Sequence, residues 1–235
     1  MAGIIQTFKQ LRSEGIEGYF AIKYAEFAKN TPGMRQDYAD LAARVADVIS
    51  EGIFLEVGPG PAFVSIELAS RIPRAQIIGL DISETMIGIG RRNVAEASLS
   101  ERITFRQGDA AEMPFDDAEF DFIVSSGSLH HWSKPIQVFD EIYRVLKPEQ
   151  PALIYDLRKD ASKEKIDEFC RHIKSWIMRW GLRHSVREAY TEETIKELLS
   201  RSRFKKAERI ELDDLGMSIW LRRPAETGQL ASVPQ

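Results

Sequence analysis

Between residues 53 and 155 the sequence alternates short, almost uninterrupted apolar runs with longer amphipathic stretches. Runs of this kind are typical of strands that are buried on both faces of a parallel sheet, and the helices between them cover those faces. The alternation therefore predicts a doubly wound α/β fold, which binds ligands beyond the carboxyl ends of its strands. The predicted strands are 53–57, 76–80, 103–107, 120–125 and 152–155, and the predicted helices between them are 62–71, 83–97 and 133–146.

The carboxyl-terminal part completes this Rossmann-like prediction. Residues 206–212 and 217–221 have the composition of two strands with a short connection between them. Such a pair is typical of an antiparallel hairpin, so we expect a mostly parallel, seven-stranded sheet with an antiparallel last strand. Hydroxyl side chains before the amphipathic stretches are predicted helix N-caps: Ser83, Ser133 and Thr191.

Two helical regions flank the alternating part. Residues 1–50 are predicted to form an N-terminal helical cap, in which Ile4, Ile5, Phe8 and Leu11 share one face. Residues 157–190 are predicted to form a helical insert, which either packs on the sheet or covers the substrate as a lid. We therefore expect a single domain over 1–222 and a polar, disordered tail over 223–235.

The composition of the 235 residues restricts the classes of partner. The net charge is −4, which gives no electrostatic reason to expect nucleic acid. Cys170 is the only cysteine, so a disulfide framework is excluded. We find neither a secretory signal peptide nor an apolar run of the roughly 18 residues that a membrane span requires. These observations predict a cytoplasmic protein, monomeric or homodimeric, without a membrane span.

A turn rich in glycine and proline follows the first predicted strand and opens a helix, where a backbone can closely approach a ligand. It carries Gly58 and Gly60, but Phe63 stands at the third glycine of a dinucleotide fingerprint. Glu56 lies two residues before Gly58, and a carboxylate at the end of a buried strand needs a partner, such as a cationic ligand. An ordinary turn with a solvated glutamate is the alternative.

Two further acidic residues follow the next strands. Asp81 ends the second strand, 21 residues after Gly60, where a carboxylate can accept two ribose hydroxyls. Asp109, followed by the small Ala110, comes after the third strand and can accept a hydrogen bond from an adenine amino group. Met86 either packs on the adenine face or belongs to the core. The spacing alone does not separate nicotinamide dinucleotides from other adenosine ligands.

These motifs, together with those over 120–125 and 141–148, come in order and at family spacings. They resemble class I S-adenosylmethionine-dependent methyltransferases, of the branch similar to ubiquinone and menaquinone biosynthesis methyltransferases. The resemblance covers about residues 35–160. It implies S-adenosylmethionine as cofactor, with its methionine part near Glu56 and the glycines, its ribose at Asp81 and its adenine beside Met86, Asp109 and Ala110. The full set of expected cofactor contacts is Glu56, Gly58, Pro59, Gly60, Asp81, Ile82, Met86, Asp109, Ala110 and Ser126.

The chain departs from the family pattern at two places. Ala62 replaces a third glycine, and we expect cofactor binding to survive because alanine is small. Glu149, Gln150 and Pro151 stand where two glycines commonly follow the Lys-Pro pair. This second change lies in a turn that is distant from the predicted cofactor site.

The loop after the fourth strand carries His130 and His131, beside the expected methyl position. Adjacent side chains diverge, so two ligands of one metal are poorly placed there, and no metal is predicted. Either histidine could orient the loop, position the substrate or act as a general base. Tyr24 is either a lid residue or a core residue. Trp132, Trp176 and Trp180 allow an apolar or aromatic acceptor.

The sequence thus favours S-adenosylmethionine-dependent methyl transfer to a small-molecule acceptor by in-line displacement. Two alternatives remain. One is the methylation of a protein or an RNA, for which the chain shows no strong basic patch. The other is a non-catalytic protein that binds S-adenosylmethionine or S-adenosylhomocysteine.

Overall fold

The structure is a computed structural model that describes residues 15–225. The predicted helical face of Ile4, Ile5, Phe8 and Leu11 and most of the predicted tail lie outside the described residues. The helices are α1 (Gly18–Asn30), α2 (Pro32–Ala46), α3 (Phe63–Arg71), α4 (Glu84–Glu96), α5 (Pro135–Val145), α6 (Lys163–Arg171), α7 (Trp176–Glu188) and α8 (Glu192–Arg201). The strands are β1 (Glu51–Val57), β2 (Arg74–Asp81), β3 (Ile103–Gln107), β4 (Phe122–Ser126), β5 (Pro151–Leu157), β6 (Arg209–Leu212) and β7 (Gly216–Arg222).

The seven strands form one sheet in the order β3-β2-β1-β4-β5-β7-β6. The strands from β1 to β5 pair in parallel, whereas β7 is antiparallel to both β5 and β6. This arrangement confirms the predicted doubly wound, mostly parallel sheet with its antiparallel last strand. The strand order reverses between β1 and β4, and the crevice at the carboxyl ends of these two strands is where such sheets bind ligands.

Apolar side chains cover both faces of the sheet, as the near-continuous apolar strands predict. Phe54 and Phe122 belong to one buried cluster together with α2, α3 and Trp220. Leu55 and Ile123 point to the opposite face and pack in a second cluster with α5 and α8. The two clusters hold the strands rigidly, so the loops at their carboxyl ends start from defined positions.

Three helices, α1, α6 and α7, form a further group outside the two clusters on the sheet. Phe20 of α1 packs with Ile173 and with Met178 of α7 in a separate apolar cluster, which Phe169 of α6 borders. We call α1, α6 and α7 the helical cap. The predicted N-terminal cap is therefore only partly correct, because α2 packs on the sheet through Leu41 and other apolar residues. None of the helices between residues 15 and 225 is long and apolar enough to cross a membrane.

Two of the three predicted helix N-caps are confirmed. The hydroxyl of Ser83 accepts a hydrogen bond from Met86 N at 3.0 Å, and that of Thr191 accepts one from Thr194 N at 3.2 Å. The prediction for Ser133 is wrong. Helix α5 begins at Pro135 with Lys134 at its N-cap, because the fixed φ of proline suits the first helical position.

Arg223 corrects the predicted start of the tail. Its side chain is buried, and its Nη1 donates hydrogen bonds to the carbonyl oxygens of Arg144 and Leu146 at 3.0 and 2.6 Å. Its own N–H donates to the carbonyl oxygen of Gln150. Charge-assisted hydrogen bonds to backbone carbonyls hold this arginine in place, so the ordered fold continues past residue 222.

Candidate functional site

A cavity of about 280 Å³ opens at the carboxyl ends of the parallel strands, beneath the helical cap. The loops after β1, β2, β3 and β4 form one side of the cavity, and residues of α1, α2, α6 and α7 form the other. All the residues predicted to contact the cofactor border it, and so do His130 and His131. The structure therefore brings together in one place side chains that the sequence spreads over more than 70 positions.

The turn after β1 depends on its glycines. Gly58 and Gly60 have φ angles of +70° and +49°, in the left-handed region that favours glycine. A Cβ on Gly58 would lie 2.7 Å from the side chain of Ser128, whereas one on Gly60 would meet only the Met86 sulfur, at 4.0 Å. Ala62 also has a positive φ, of +63°, and this is the position of the replaced third glycine. The two glycines therefore leave the backbone of the turn open on its cavity side, between Pro59 and Pro61, which also border the cavity.

Glu56 is buried at the end of β1, with 1% of its surface exposed. Its carboxyl group accepts a hydrogen bond from the Ser65 hydroxyl. Burial raises the pKa of Glu56 to about 8, although hydrogen bonds from Ser65 partly oppose this shift. A buried carboxyl group whose charge is not compensated favours a cationic partner.

Asp81 holds the turn as well as facing the cavity. Its Oδ2 accepts a hydrogen bond from Gly60 N at 3.0 Å, and its Oδ1 accepts one from Ser83 N at 2.9 Å. Burial raises the pKa of Asp81, and these backbone hydrogen bonds counteract part of that effect. The carboxylate therefore joins the turn after β1 to the start of α4, a structural role that the sequence did not reveal.

Asp109, Ala110 and Met86 form the next part of the cavity wall. The Oδ1 of Asp109 accepts a hydrogen bond from Ala111 N at 2.8 Å, which fixes the loop after β3. Met86 is buried with Ala25 of α1 while it also borders the cavity. Met86 is therefore a core residue that also borders the cavity, and its packing on the adenine stays a prediction.

The residues present suit S-adenosylmethionine. The cofactor carries a cationic amino-acid end, a hydroxylated ribose and an adenine, and this cavity offers a buried carboxyl group, a further carboxylate and a turn with two glycines. The carboxyl of Glu56 can balance a positive charge, and Asp81 has lone pairs left after accepting its two backbone hydrogen bonds. The site thus fits the cofactor in charge and in space.

The loop after β4 begins with Ser128 and continues in a single 3₁₀ turn, Leu129–His131. The Ser128 hydroxyl lies 2.9 Å from that of Ser125 and accepts a hydrogen bond from Trp132 Nε1 at 3.1 Å. Ser125 in turn donates to the carbonyl oxygen of Val57 at 2.8 Å. These bonds tie the loop to the end of β1, beside the glycine turn.

His130 pairs with Asp156 of β5, a residue that the sequence analysis missed. The His130 Nδ1 lies 2.7 Å from Asp156 Oδ1, and the His130 backbone N–H donates to Asp156 Oδ2 at 3.0 Å. The two side chains are 5% and 2% exposed. Burial by itself would raise the pKa of Asp156, but the charge and hydrogen bonds of His130 outweigh it, and the pKa is lowered. Asp156 follows an apolar strand just as Glu56 and Asp81 do, and that signal could have found it.

His131 lies against His130, with 4.0 Å between the ring centroids. Burial and the neighbouring His130 lower the pKa of His131 to about 3, so its ring is neutral near pH 7. In the part of the chain between residues 15 and 225, no three histidine, cysteine or acidic side chains are grouped so that they could hold a metal ion. The two histidines therefore have different environments, which their adjacency in the sequence did not predict.

Aromatic residues line the cap side of the cavity, among them Phe20, Tyr24 and Phe169. Burial raises the pKa of the Tyr24 phenol, which hydrogen bonds with Tyr38. Trp132 borders the cavity, but Trp176 is 62% exposed, and Trp180 stacks on His184 with 5.2 Å between the centroids. Of the three tryptophans considered from the sequence, Trp132 is the one placed to contact a ligand.

Comparisons with known proteins agree with this geometry. A family profile described as methyltransferase domain matches residues 54–149. A demethylmenaquinone methyltransferase from Porphyromonas gingivalis is 28% identical over 194 residues, which are 81% of this chain and 76% of that protein. One from Listeria monocytogenes is 41% identical over 95 residues, and the match covers 40% of each chain. A solved structure from Methanococcus maripaludis, assigned as an S-adenosyl-L-methionine-dependent methyltransferase, superposes with a TM-score of 0.71 at 26% identity, covering 93% of this chain and 96% of the other.

Proposed function

This chain is a class I S-adenosylmethionine-dependent methyltransferase, and we propose that its acceptor is a small, largely apolar molecule held beneath the helical cap. The observation that carries the proposal is the cavity itself. One wall bears the glycine turn and the acidic residues, and the other bears aromatic side chains of α1 and α6. The aromatic side chains on the second wall suit a compact aromatic acceptor. The demethylmenaquinone methyltransferases similar to this chain favour a reduced quinone, that is, a hydroxylated aromatic ring.

The residues on the glycine-turn side are assigned to the cofactor in this proposal. Glu56 binds the ammonium of the methionine part, next to Gly58, Pro59 and Gly60. Asp81 and Ile82 bind the ribose, and Met86, Asp109 and Ala110 bind the adenine, while Ser126 closes the site at the end of β4. When bound, S-adenosylmethionine supplies a methyl group on a positively charged sulfur.

The chain's own residues orient the two reactants and exclude water. The apolar cluster of Phe20, Ile173 and Met178 holds the cap over the strand ends. Such alignment makes the reaction of two molecules effectively unimolecular. This can lower the activation barrier of methyl transfer by about 7–11 kcal/mol. A single domain, a cytoplasmic location, a monomeric or homodimeric state and the absence of nucleic acid as a partner remain part of the proposal.

Calorimetric titration of the purified protein tests the cofactor side. We expect heat of binding with S-adenosylmethionine and S-adenosylhomocysteine and none with NAD. Asp81→Asn keeps one oxygen that can accept a backbone hydrogen bond, yet it loses the negative charge, so the Kd for S-adenosylhomocysteine should rise at least tenfold. Asp116→Asn is the matched control, because Asp116 is exposed and does not border the cavity. Equal affinity in both variants would remove Asp81 from the ribose role.

Transfer of a labelled methyl group tests the acceptor. We expect incorporation into 1,4-naphthalenediol, kept reduced, and none into a peptide mixture or bulk RNA. Labelling of peptide or RNA alone would replace the small-molecule proposal with a macromolecular one. A protein that binds the cofactor but transfers no methyl group to any of these would be a binding protein rather than an enzyme for this acceptor class.

A further inference from the structure

His130 and Asp156 form a buried pair whose geometry determines where the histidine carries its proton. A carboxylate offers only acceptor atoms. Oδ1 of Asp156 lies 2.7 Å from His130 Nδ1, and Oδ2 takes the backbone N–H of the same residue. Because Nδ1 faces an acceptor, it carries the hydrogen, so a neutral His130 has its lone pair on Nε2.

That lone pair is the unexplained feature of the site. Nε2 of His130 is buried and has no hydrogen-bond partner among the residues that the structure describes. A buried polar atom without a partner is unfavourable and is rare in folded proteins. His130 borders the cavity that we assign to the acceptor. The missing partner is therefore expected from a molecule bound there.

We propose that His130 Nε2 is the proton acceptor of this methyltransferase and that Asp156 is the positioning residue that holds it, so the acceptor carries an ionisable hydroxyl of phenol or enol type. The inference deepens the proposed function and rests on it. A phenol has a pKa of about 10, within about four units of an ordinary imidazole, whereas an aliphatic alcohol is too weakly acidic for such a base. An amine acceptor can lose its proton to water before it reacts and needs no buried base.

Methyl transfer by this route needs no proton acceptor other than His130 and no oxidant or reductant. Nε2 forms a new N–H bond with the proton of the acceptor hydroxyl as that O–H bond breaks. The oxygen, or a ring carbon conjugated to it, forms the bond to the methyl group, and the electron pair of the broken carbon–sulfur bond stays on sulfur. The products are a methylated acceptor, S-adenosylhomocysteine and a protonated His130 beside the carboxylate of Asp156.

The surroundings of the pair favour this proton uptake. His131 covers the ring of His130 and is neutral, so it adds no positive charge against the imidazolium. His184 of α7 faces His131, and Tyr24 of α1 and Tyr190 lie within electrostatic range of Asp156. The charge of Asp156 remains as the stabilising partner of a protonated His130.

A matched substitution separates proton transfer from a merely structural role. In His130→Asn the amide nitrogen takes the place of Nδ1 and can still donate to Asp156, but no atom replaces Nε2. We expect an unchanged Kd for S-adenosylhomocysteine and an unchanged melting temperature, together with a loss of roughly 10²- to 10⁴-fold in kcat on 1,4-naphthalenediol. The exposed His172, changed to Asn, is the control. Full activity in His130→Asn would overturn the proposal.

The pH profile and the tautomer give independent readouts. The kcat of the wild type should depend on pH, and His130→Asn should lose that dependence. Nitrogen NMR of the free, histidine-labelled protein should show His130 with hydrogen on Nδ1, and Asp156→Asn should disturb that state and lower kcat with little change in KM. A proton on Nε2 in the wild type would contradict the assignment.

Different results would refute the proposed acceptor class and the proposed cofactor site. A wild type that does not bind S-adenosylhomocysteine would contradict the proposed function itself. A wild type that binds it but methylates phenethylamine, and not 1,4-naphthalenediol, would refute the inference about His130 while leaving the methyltransferase assignment intact.

Discussion

The two halves of the carboxyl edge of the sheet are built differently. On the β1–β2–β3 half the wall consists of a backbone turn and of carboxyl groups that bind nearby N–H or O–H groups, as Asp81 binds Gly60. On the β4–β5 half the wall consists of paired side chains and of helices that come from distant parts of the chain, as Phe20 and Met178 do. A wall made of backbone tolerates few changes, whereas a wall made of side chains can be altered to suit another acceptor. The motifs of the family resemblance lie mainly on the first half, and we propose that the second half determines the acceptor.

The largest expected effect is on stability and comes from a substitution in the glycine turn of the β1–β2–β3 half. Gly58→Ala places a Cβ 2.7 Å from the Ser128 side chain at a φ of +70°, so strain and overpacking should together lower the free energy of unfolding by about 2–4 kcal/mol. Gly127→Ala is the control, because Gly127 has a φ of +67° but no atom within 4 Å of its Cβ position. Urea denaturation of both variants measures the difference. Equal losses of unfolding free energy in the two variants would show that the close contact with Ser128 does not destabilise the protein.

A second effect tests the buried carboxyl group on the same half. The pKa of Glu56 is about 8 in the folded protein and about 4.5 when unfolded, so the unfolded state releases its proton first. The contribution of Glu56 to the stability of the free protein should therefore fall as pH rises from 4.5 to 8, by about 2 kcal/mol between pH 6 and 8. Glu56→Gln removes this contribution. Denaturation of both proteins at several pH values measures the difference, and parallel curves would contradict the raised pKa.

The smallest expected effect comes from His131, on the β4–β5 half. Its contribution to stability changes with pH in the direction opposite to that of Glu56. The pKa of His131 is about 3 when folded and about 6.5 when unfolded, so below pH 6.5 the unfolded state takes up more protons. Stability should fall as pH decreases, by about 2 kcal/mol between pH 6.5 and 5. His131→Gln should flatten this acid limb of the stability curve, while the exposed His172→Gln should not. An equal pH dependence of stability in the wild type and in His131→Gln would rule out a neutral His131.

The glycine turn and the acids after β1, β2 and β3 were predictable because each signal is local. An apolar run, a glycine and an acidic residue within a few positions determine a strand end and its turn. The same rule applies to Asp156, which ends β5, yet nothing local to it indicates that His130 is its partner. The Ser133 prediction failed because Pro135 sets the start of α5, and the Arg223 prediction failed because its carbonyl partners lie on a distant loop.

The sequence by itself determined the order of strands and helices and the place of the ligand edge, because these follow from periodicity and from short motifs. The family resemblance of those motifs implied the methyl donor. The tertiary structure decided which side chains meet and how they are charged. Burial moves the pKa of Glu56 up and that of His131 down, since removal from water disfavours the charged form of each. The tertiary structure also brings His130 next to Asp156 and places the helical cap over both residues. Those outcomes depend on packing between elements that are far apart along the chain.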